Sequence, residues 1–148
     1  MAHTHAFWLS RLARAAAMTL LTLAAPPLLA HQIAHKSIVL VHPWVPPAPD
    51  PSQPVELRVK IRNSGKLADR LVGGATQQAA TVEIIPAVAL AKPAIDLPAG
   101  SDTVIGSDGG PRLVLRGLKS PLAAYDVFSL TLQFAKAGPV TFDVLVDE

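Results

Sequence analysis

No cysteine occurs anywhere in the 148 residues. A disulfide framework, a thiol nucleophile, a thiolate metal site and a CxxC redox pair are therefore excluded. Aromatic residues make up 5% of the chain and charged residues 16%, too few for the basic, aromatic-rich surface of a nucleic-acid binder. The only methionines are Met1 and Met18, so the chain beyond residue 30 contains no sulfur. There is no GxSxG elbow, Walker loop, GxGxxG turn or calcium-loop spacing. Gly109-Gly110-Pro111 is a turn, because Pro111 lacks the N–H that a phosphate cradle would use. Nor is any apolar run long enough to span a bilayer. The longest, Ala15–Ala30, falls short of the ~20 residues required and is broken by Pro26-Pro27.

That run has another reading. Arg11 and Arg14 precede it, and small residues close it before a polar stretch. This is the pattern of a secretory signal peptide over residues 1–30, with cleavage after Ala30. The domain is then residues 31–148, a periplasmic protein exported by a Sec-type leader and not stably inserted in the membrane. Both leader cations leave with the signal, and no acids do. The remaining 11 cations balance 11 acids, so the basic pI of about 9.2 belongs largely to the leader.

Beyond residue 30 the pattern is that of short strands. Ser37–His42 is a compact β-branched run ending at Pro43. Pro43–Pro54 holds six prolines in twelve residues and is expected as an extended surface loop, neither helix nor central strand. In Val55–Asn63, apolar Val55, Leu57, Val59 and Ile61 alternate with charged residues, the period of a strand with one wet face. Asn63-Ser64-Gly65 is a turn signal. Further candidates are 70–75, 81–85, 95–97, 103–105, 112–116, 127–134 and 140–146, with Pro98-Ala99-Gly100 and Ala137-Gly138-Pro139 as connections. In the last two, Phe128, Leu130, Leu132 and Phe134 share a face, as do Val140, Phe142, Val144 and Val146. The expected fold is an all-β, Greek-key β-sandwich of roughly seven or eight short strands, Ig-like or cupredoxin-like, with no second domain.

Three histidines remain after the leader: His31, His35 and His42. Cleavage after Ala30 would make His31 the N-terminal residue. Its amine and ring nitrogen, with a second imidazole from His35 or His42, form a nitrogen set suited to Cu(II). The alternative is a frayed terminus with His42 as a packing residue before Pro43.

Several segments in order, VHPW (Val41–Trp44), IRNSGK, ADRLVGGAT, VEIIP, LPAG, RLVLRGLKSPL and LTLQFAKAGPVTFDV, resemble the PCu(A)C family of periplasmic copper chaperones, also known as DUF461-like. The similarity runs over nearly all of residues 31–148. The resemblance implies a cupredoxin-like sandwich and delivery of Cu(I) towards the copper A centre of cytochrome c oxidase. It also implies two His and two Met ligands. The first His would close the V-E-L-H segment, where this chain has Ile85. The first Met would follow in a hairpin that is here the shortened, Met-free stretch between Ile85 and Leu97. The final H-x-M would fall at Arg112 and Val114. Alternation places Arg112, Val114 and Arg116 on one face, apolar and cationic, with Leu113 and Leu115 towards the core. Cu(I) prefers thioether, thiolate and imidazole, none of which is offered there.

The sequence thus reads as a periplasmic copper-chaperone-like binding protein, not an enzyme. The usual Cu(I) site is lost, and copper, as Cu(II) rather than Cu(I), would be bound through His31, His35 and His42. The partner implied by the resemblance is a cytochrome oxidase assembly protein or the copper A subunit. The alternative is an envelope interaction or scaffold module without metal, in which Arg112 and Arg116 meet acids of a partner.

Overall fold

The computed structural model describes residues 32–148. The expected leader and His31 lie outside them. Ten strands follow in order: β1 (Gln32–His35), β2 (Ile38–Val45), β3 (Val55–Asn63), β4 (Asp69–Thr76), β5 (Ala79–Ile85), β6 (Ile95–Leu97), β7 (Ser101–Ile105), β8 (Arg112–Leu118), β9 (Val127–Phe134) and β10 (Gly138–Val146). No helix long and apolar enough to cross a membrane is found among the described residues.

The all-β expectation holds, with more strands than the pattern suggested. β1 is a four-residue edge strand whose only large apolar residue, Ile33, is partly buried against the core, too little for a legible alternation. β6 and β7 do not form a hairpin across Gly100. β6 pairs with β4 and β7 with β3, so Pro98–Gly100 is a crossover loop.

The strands run β5-β8-β3-β2-β10-β9-β4-β6, with β1 on β2 and β7 on β3. Two strands change partner midway. The first half of β2 pairs with β1 and its end with β10, in parallel. β3 pairs with β8 through Val55–Leu57 and with β7 through Val59–Asn63. Such switches turn the corners of a sandwich, and here they curl the sheet around one core.

The core follows from the alternation. Leu57, Ile61, Leu113, Leu115, Leu132 and Phe134 are fully buried. Each such side chain contributes about 1.5–3 kcal/mol through removal of apolar surface from water. Phe128, at the end of the β9 row, is only partly buried against this cluster.

Pro43 corrects the loop expectation. It is buried inside β2, a strand between β3 and β10. Pro lacks a ladder donor, and the sheet accommodates it with a bulge: the β2–β3 register shifts between Val41 and Trp44. His42 takes up the distortion at φ 50°. The rest of the proline-rich stretch is a loop, held by reciprocal Ala48–Leu122 backbone bonds of 2.9 Å.

Two buried polar side chains tie the loops at the opposite end. Asn63 Nδ2 donates to Leu67 O at 2.9 Å and Leu97 O at 3.0 Å, while its Oδ1 accepts from Gly65 N–H at 3.0 Å. Asp69 Oδ1 accepts the N–H groups of Arg70 and Lys136, each at 2.8 Å, and Oδ2 that of Ala137 at 2.9 Å. No buried polar side chain among the described residues lacks a partner.

Candidate functional site

The three positions at which the resemblance would put ligands lie together on β5 and β8. Ile85 is directly opposite Arg112, and Val114 is opposite both Glu83 on β5 and Glu56 on β3. Arg112 Nη1 donates to Glu56 Oε1 at 3.0 Å, and Arg116 Nε donates to Glu83 Oε2. Two corrections follow. Arg112 and Arg116 are exposed as expected, but acids of their own sheet already pair with them. Val114 shares their face by alternation but is covered: it is 4% exposed, opposite Glu56 and Glu83 and flanked along β8 by the two ion-paired arginines. Leu113 and Leu115 point into the core as expected.

These residues do not fit copper. Val114 offers no lone pair, and an arginine stays protonated and repels a cation. Among the described residues no group of three or more His, Asp or Glu side chains is placed to hold a metal ion.

The histidines are distributed along one hairpin. β1 pairs antiparallel with β2, His35 opposite Ile38 and Gln32 opposite Val41. Four residues of extended chain, roughly 13 Å, separate Ile38 from His42. The fold therefore keeps His35 and His42 apart, at opposite ends of the hairpin. The chain enters β1 beside Val41, next to His42. His42 is exposed, and it shares a cavity of about 290 Å3 with Pro43, Val127, Asp143 and Leu145. Asp143 Oδ1 accepts a hydrogen bond from Ser129 Oγ at 2.9 Å. A β-branched or bulky residue at positive φ is strained, and histidine is tolerated there more readily.

The sequence did not disclose the surface between these places. Arg58 is opposite Trp44, Trp44 is opposite Leu145, and Leu145 is opposite Val127. Arg58 lies over the half-buried Trp44 ring with its guanidinium carbon 5.5 Å from the centroid, and its Nη1 donates to Gly106 O at 3.0 Å. The His42 ring is 6.4 Å from that of Trp44. Arg58 and Arg112 both line a cavity of about 520 Å3, together with Glu56, Ile85 and the Gly106–Gly110 loop. Alternation marks Arg58 only as a wet-face residue. Its partner depends on cross-strand register, which no local pattern carries.

At the far end, burial alone would raise the Asp69 pKa. The three backbone N–H bonds and the nearby Lys136 charge outweigh it and hold the carboxyl below the ordinary range.

Comparison with known proteins bears on this arrangement. The LpqE-like family model, described as "Putative lipoprotein LpqE-like", matches residues 38–146. The copper-bound PCuAC domain from PmoF2 is similar at 30% identity and a TM-score of 0.69, over 79% of this chain and 97% of that one. The apo PCuAC domain from PmoF1 shares the fold at 24% identity and a TM-score of 0.71, over 79% and 98%. So does the solution structure of CuI-DR1885 from Deinococcus radiodurans, at 19% identity and a TM-score of 0.58, over 80% and 81%. No curated protein matches.

Proposed function

From the premise that the chain belongs to the LpqE-like family of PCuAC domains, we propose that it is an exported copper-handling binding protein that holds copper at its N-terminal hairpin. The observation that carries this reading is the ion-paired arrangement at the ligand positions. Ile85, Arg112 and the buried Val114 leave Cu(I) no donor, with Arg112 held by Glu56 at 3.0 Å. Copper binding, which the similarity to a copper-bound PCuAC domain suggests, must then use other residues. Imidazole remains, in His31, His35 and His42.

Of the three, His42 is the anchor of the proposed site. It is exposed at a bulge beside Asp143, and the chain arrives at Gln32 beside it. With cleavage after Ala30, the His31 amine and ring would join it. Imidazole, amine and carboxylate suit Cu(II) better than Cu(I). His35, a strand-length away, is not part of this set. The protein acts by binding and transfer rather than by catalysis, in the periplasm. Its recipient is a cytochrome oxidase assembly protein or the copper A subunit.

The test is a metal titration of residues 31–148 with a native His31 terminus, following Cu(II) by spectroscopy and competing Cu(I) against a chelating probe. Cu(II) binding that is lost in both His31→Ala and His42→Ala and kept in His35→Ala supports the reading. Undiminished affinity in the two variants rejects it.

A second reading, a metal-free interaction module, is favoured by the band Arg58–Trp44–Leu145–Val127. Arginine and a half-buried tryptophan at a surface are typical anchors of protein interfaces. Absence of binding for both copper ions would decide for it.

A further inference from the structure

The end of the sandwich away from His42 and Arg112 carries an excess of positive charge. Lys36 sits in the β1–β2 turn, Lys66 in the β3–β4 loop and Lys136 in the β9–β10 turn, and all three line one cavity of about 310 Å3. Lys36 Nζ donates to Ala137 O at 2.8 Å and Lys136 Nζ to Ala68 O at 2.6 Å, so the lysines also hold these loops to one another. None of the three pairs with a carboxylate among the described residues. The Asp69 carboxylate lies in the cavity wall, where three backbone N–H groups engage it. The other charges at this end are paired: Arg62 with Asp102, which Lys60 further along β3 shares, and Arg70 with Asp96.

Counting the three lysines, Arg62 and Arg70 against Asp69, Asp96 and Asp102, five cations face three acids, a net charge of +2 at one end. Residues 32–148 are neutral overall, so the remainder carries −2. A neutral protein with separated charge does not gather on an anionic surface by net attraction, but it is oriented by one.

A second observation gives the surface its character. Leu67, between Lys66 and Ala68, is 70% exposed. Its loop is not slack, because its carbonyl accepts from buried Asn63 Nδ2 at 2.9 Å. The fold thus holds a bare leucine outward within a ring of unpaired lysines. An acidic protein would satisfy the lysines; a phospholipid bilayer satisfies both features, with phosphates for the ammonium groups and an apolar interior for Leu67.

We propose that this three-lysine end, with Leu67 at its tip, docks the protein peripherally on an anionic phospholipid membrane and directs the His42 and Arg58 end away from the bilayer. The interaction is weak and reversible, as befits three lysines and one side chain. It needs no lipid attached to the protein, and it stands independently of the copper reading.

Residues 32–148 contain the ten described strands and the core they enclose, and they exclude the apolar run 15–30, which would bind bilayers by itself. This fragment is mixed with vesicles of phosphatidylglycerol in phosphatidylcholine, or of phosphatidylcholine alone, and sedimented at low salt. Binding is expected only with phosphatidylglycerol, and is expected to vanish at high salt. Each lysine near an anionic surface is worth about 1 kcal/mol, so Lys36→Gln, Lys66→Gln and Lys136→Gln combined should weaken partition about 100-fold. Leu67→Asp, at a side chain 70% exposed, should weaken it too and serves as the variant that leaves the core unaltered. Equal binding to both lipids, no binding to phosphatidylglycerol, or insensitivity to Leu67→Asp would each overturn the proposal. Full displacement by inorganic phosphate at the lipid's phosphorus concentration would point to a free-phosphate site and also overturn it. Binding to soluble polyglutamate without binding to vesicles would reassign the surface to an acidic protein.

Discussion

Asp69 shows how much one side chain can decide. It joins β4 to the β9–β10 turn through three backbone N–H groups, all donors. In Asp69→Asn, an amide NH2 must face one of those donors. The loss of an acceptor at a buried site predicts destabilisation by about 2–3 kcal/mol in urea unfolding, with the fold kept. Its pKa is held below the ordinary value of 3.8, so its stabilising contribution is complete above that value. It is lost as pH falls through the lower, folded-state value. The wild type should therefore lose stability in acid along a slope that Asp69→Asn flattens, measurable by denaturant titration at several pH values. Asn63→Ala would orphan two carbonyls and an N–H, and should cost a similar amount.

The element that carries most meaning is β8. Its outward residues form two cross-strand ion pairs about Val114, exposed enough that each contributes no more than about 1 kcal/mol. Arg112→Ala should thus leave the melting temperature nearly unchanged. The same strand allows a sharper test of the displaced metal position. Ile85→His, Arg112→His and Val114→Met together would put imidazoles and a thioether on adjacent strands. The triple variant is expected to compete with a chelating probe for Cu(I) at least 10-fold better than the wild type, the effect of a little over 1 kcal/mol. Competition equal to the wild type would show that more than ligand identity has changed at this end. In β2, the bulge at His42 and Pro43 serves a further role: it lets a central strand contain a proline and brings an imidazole to the surface beside Asp143.

Across the whole molecule, the two ends differ in chemistry. One end gathers Arg58, Trp44 and His42 beside open cavities. The other gathers unpaired lysines around Leu67. The separation arises from topology. The starts of β3 and β8 and the end of β2 meet at one end, while the β1–β2, β3–β4 and β9–β10 turns meet at the other. Because the charges cancel in sum but not in place, association with anionic surfaces should fall steeply between low and physiological salt, with the Debye length near 8 Å at the latter. Vesicle sedimentation across a salt series reads this directly. Trp44, the single tryptophan beyond residue 30, offers an independent report from the opposite end. Its fluorescence should respond to Cu(II) at His42 and not to vesicles.

The class of fold and the absence of sulfur beyond residue 30 were determined by the sequence alone. Alternation of period two in Val55–Ile61, and the shared faces of Leu130–Phe134 and Val140–Val146, leave no other secondary structure. A stretch without sulfur cannot supply a thioether. Where outward residues meet was decided only by tertiary structure, because register, partner switching and bulges are set by packing between distant segments. Val114 shares a face with Arg112 and Arg116 by alternation and is nevertheless buried. Arg112 looked available to a partner and is held by Glu56. Pro43 looked like the start of a loop and lies within a strand. His35 and His42 looked like companions and are kept apart by the hairpin that joins them, and three lysines with nothing in common in sequence share one cavity. Each residue's local pattern specifies a direction out of the sheet; only the assembled sheet specifies what lies there.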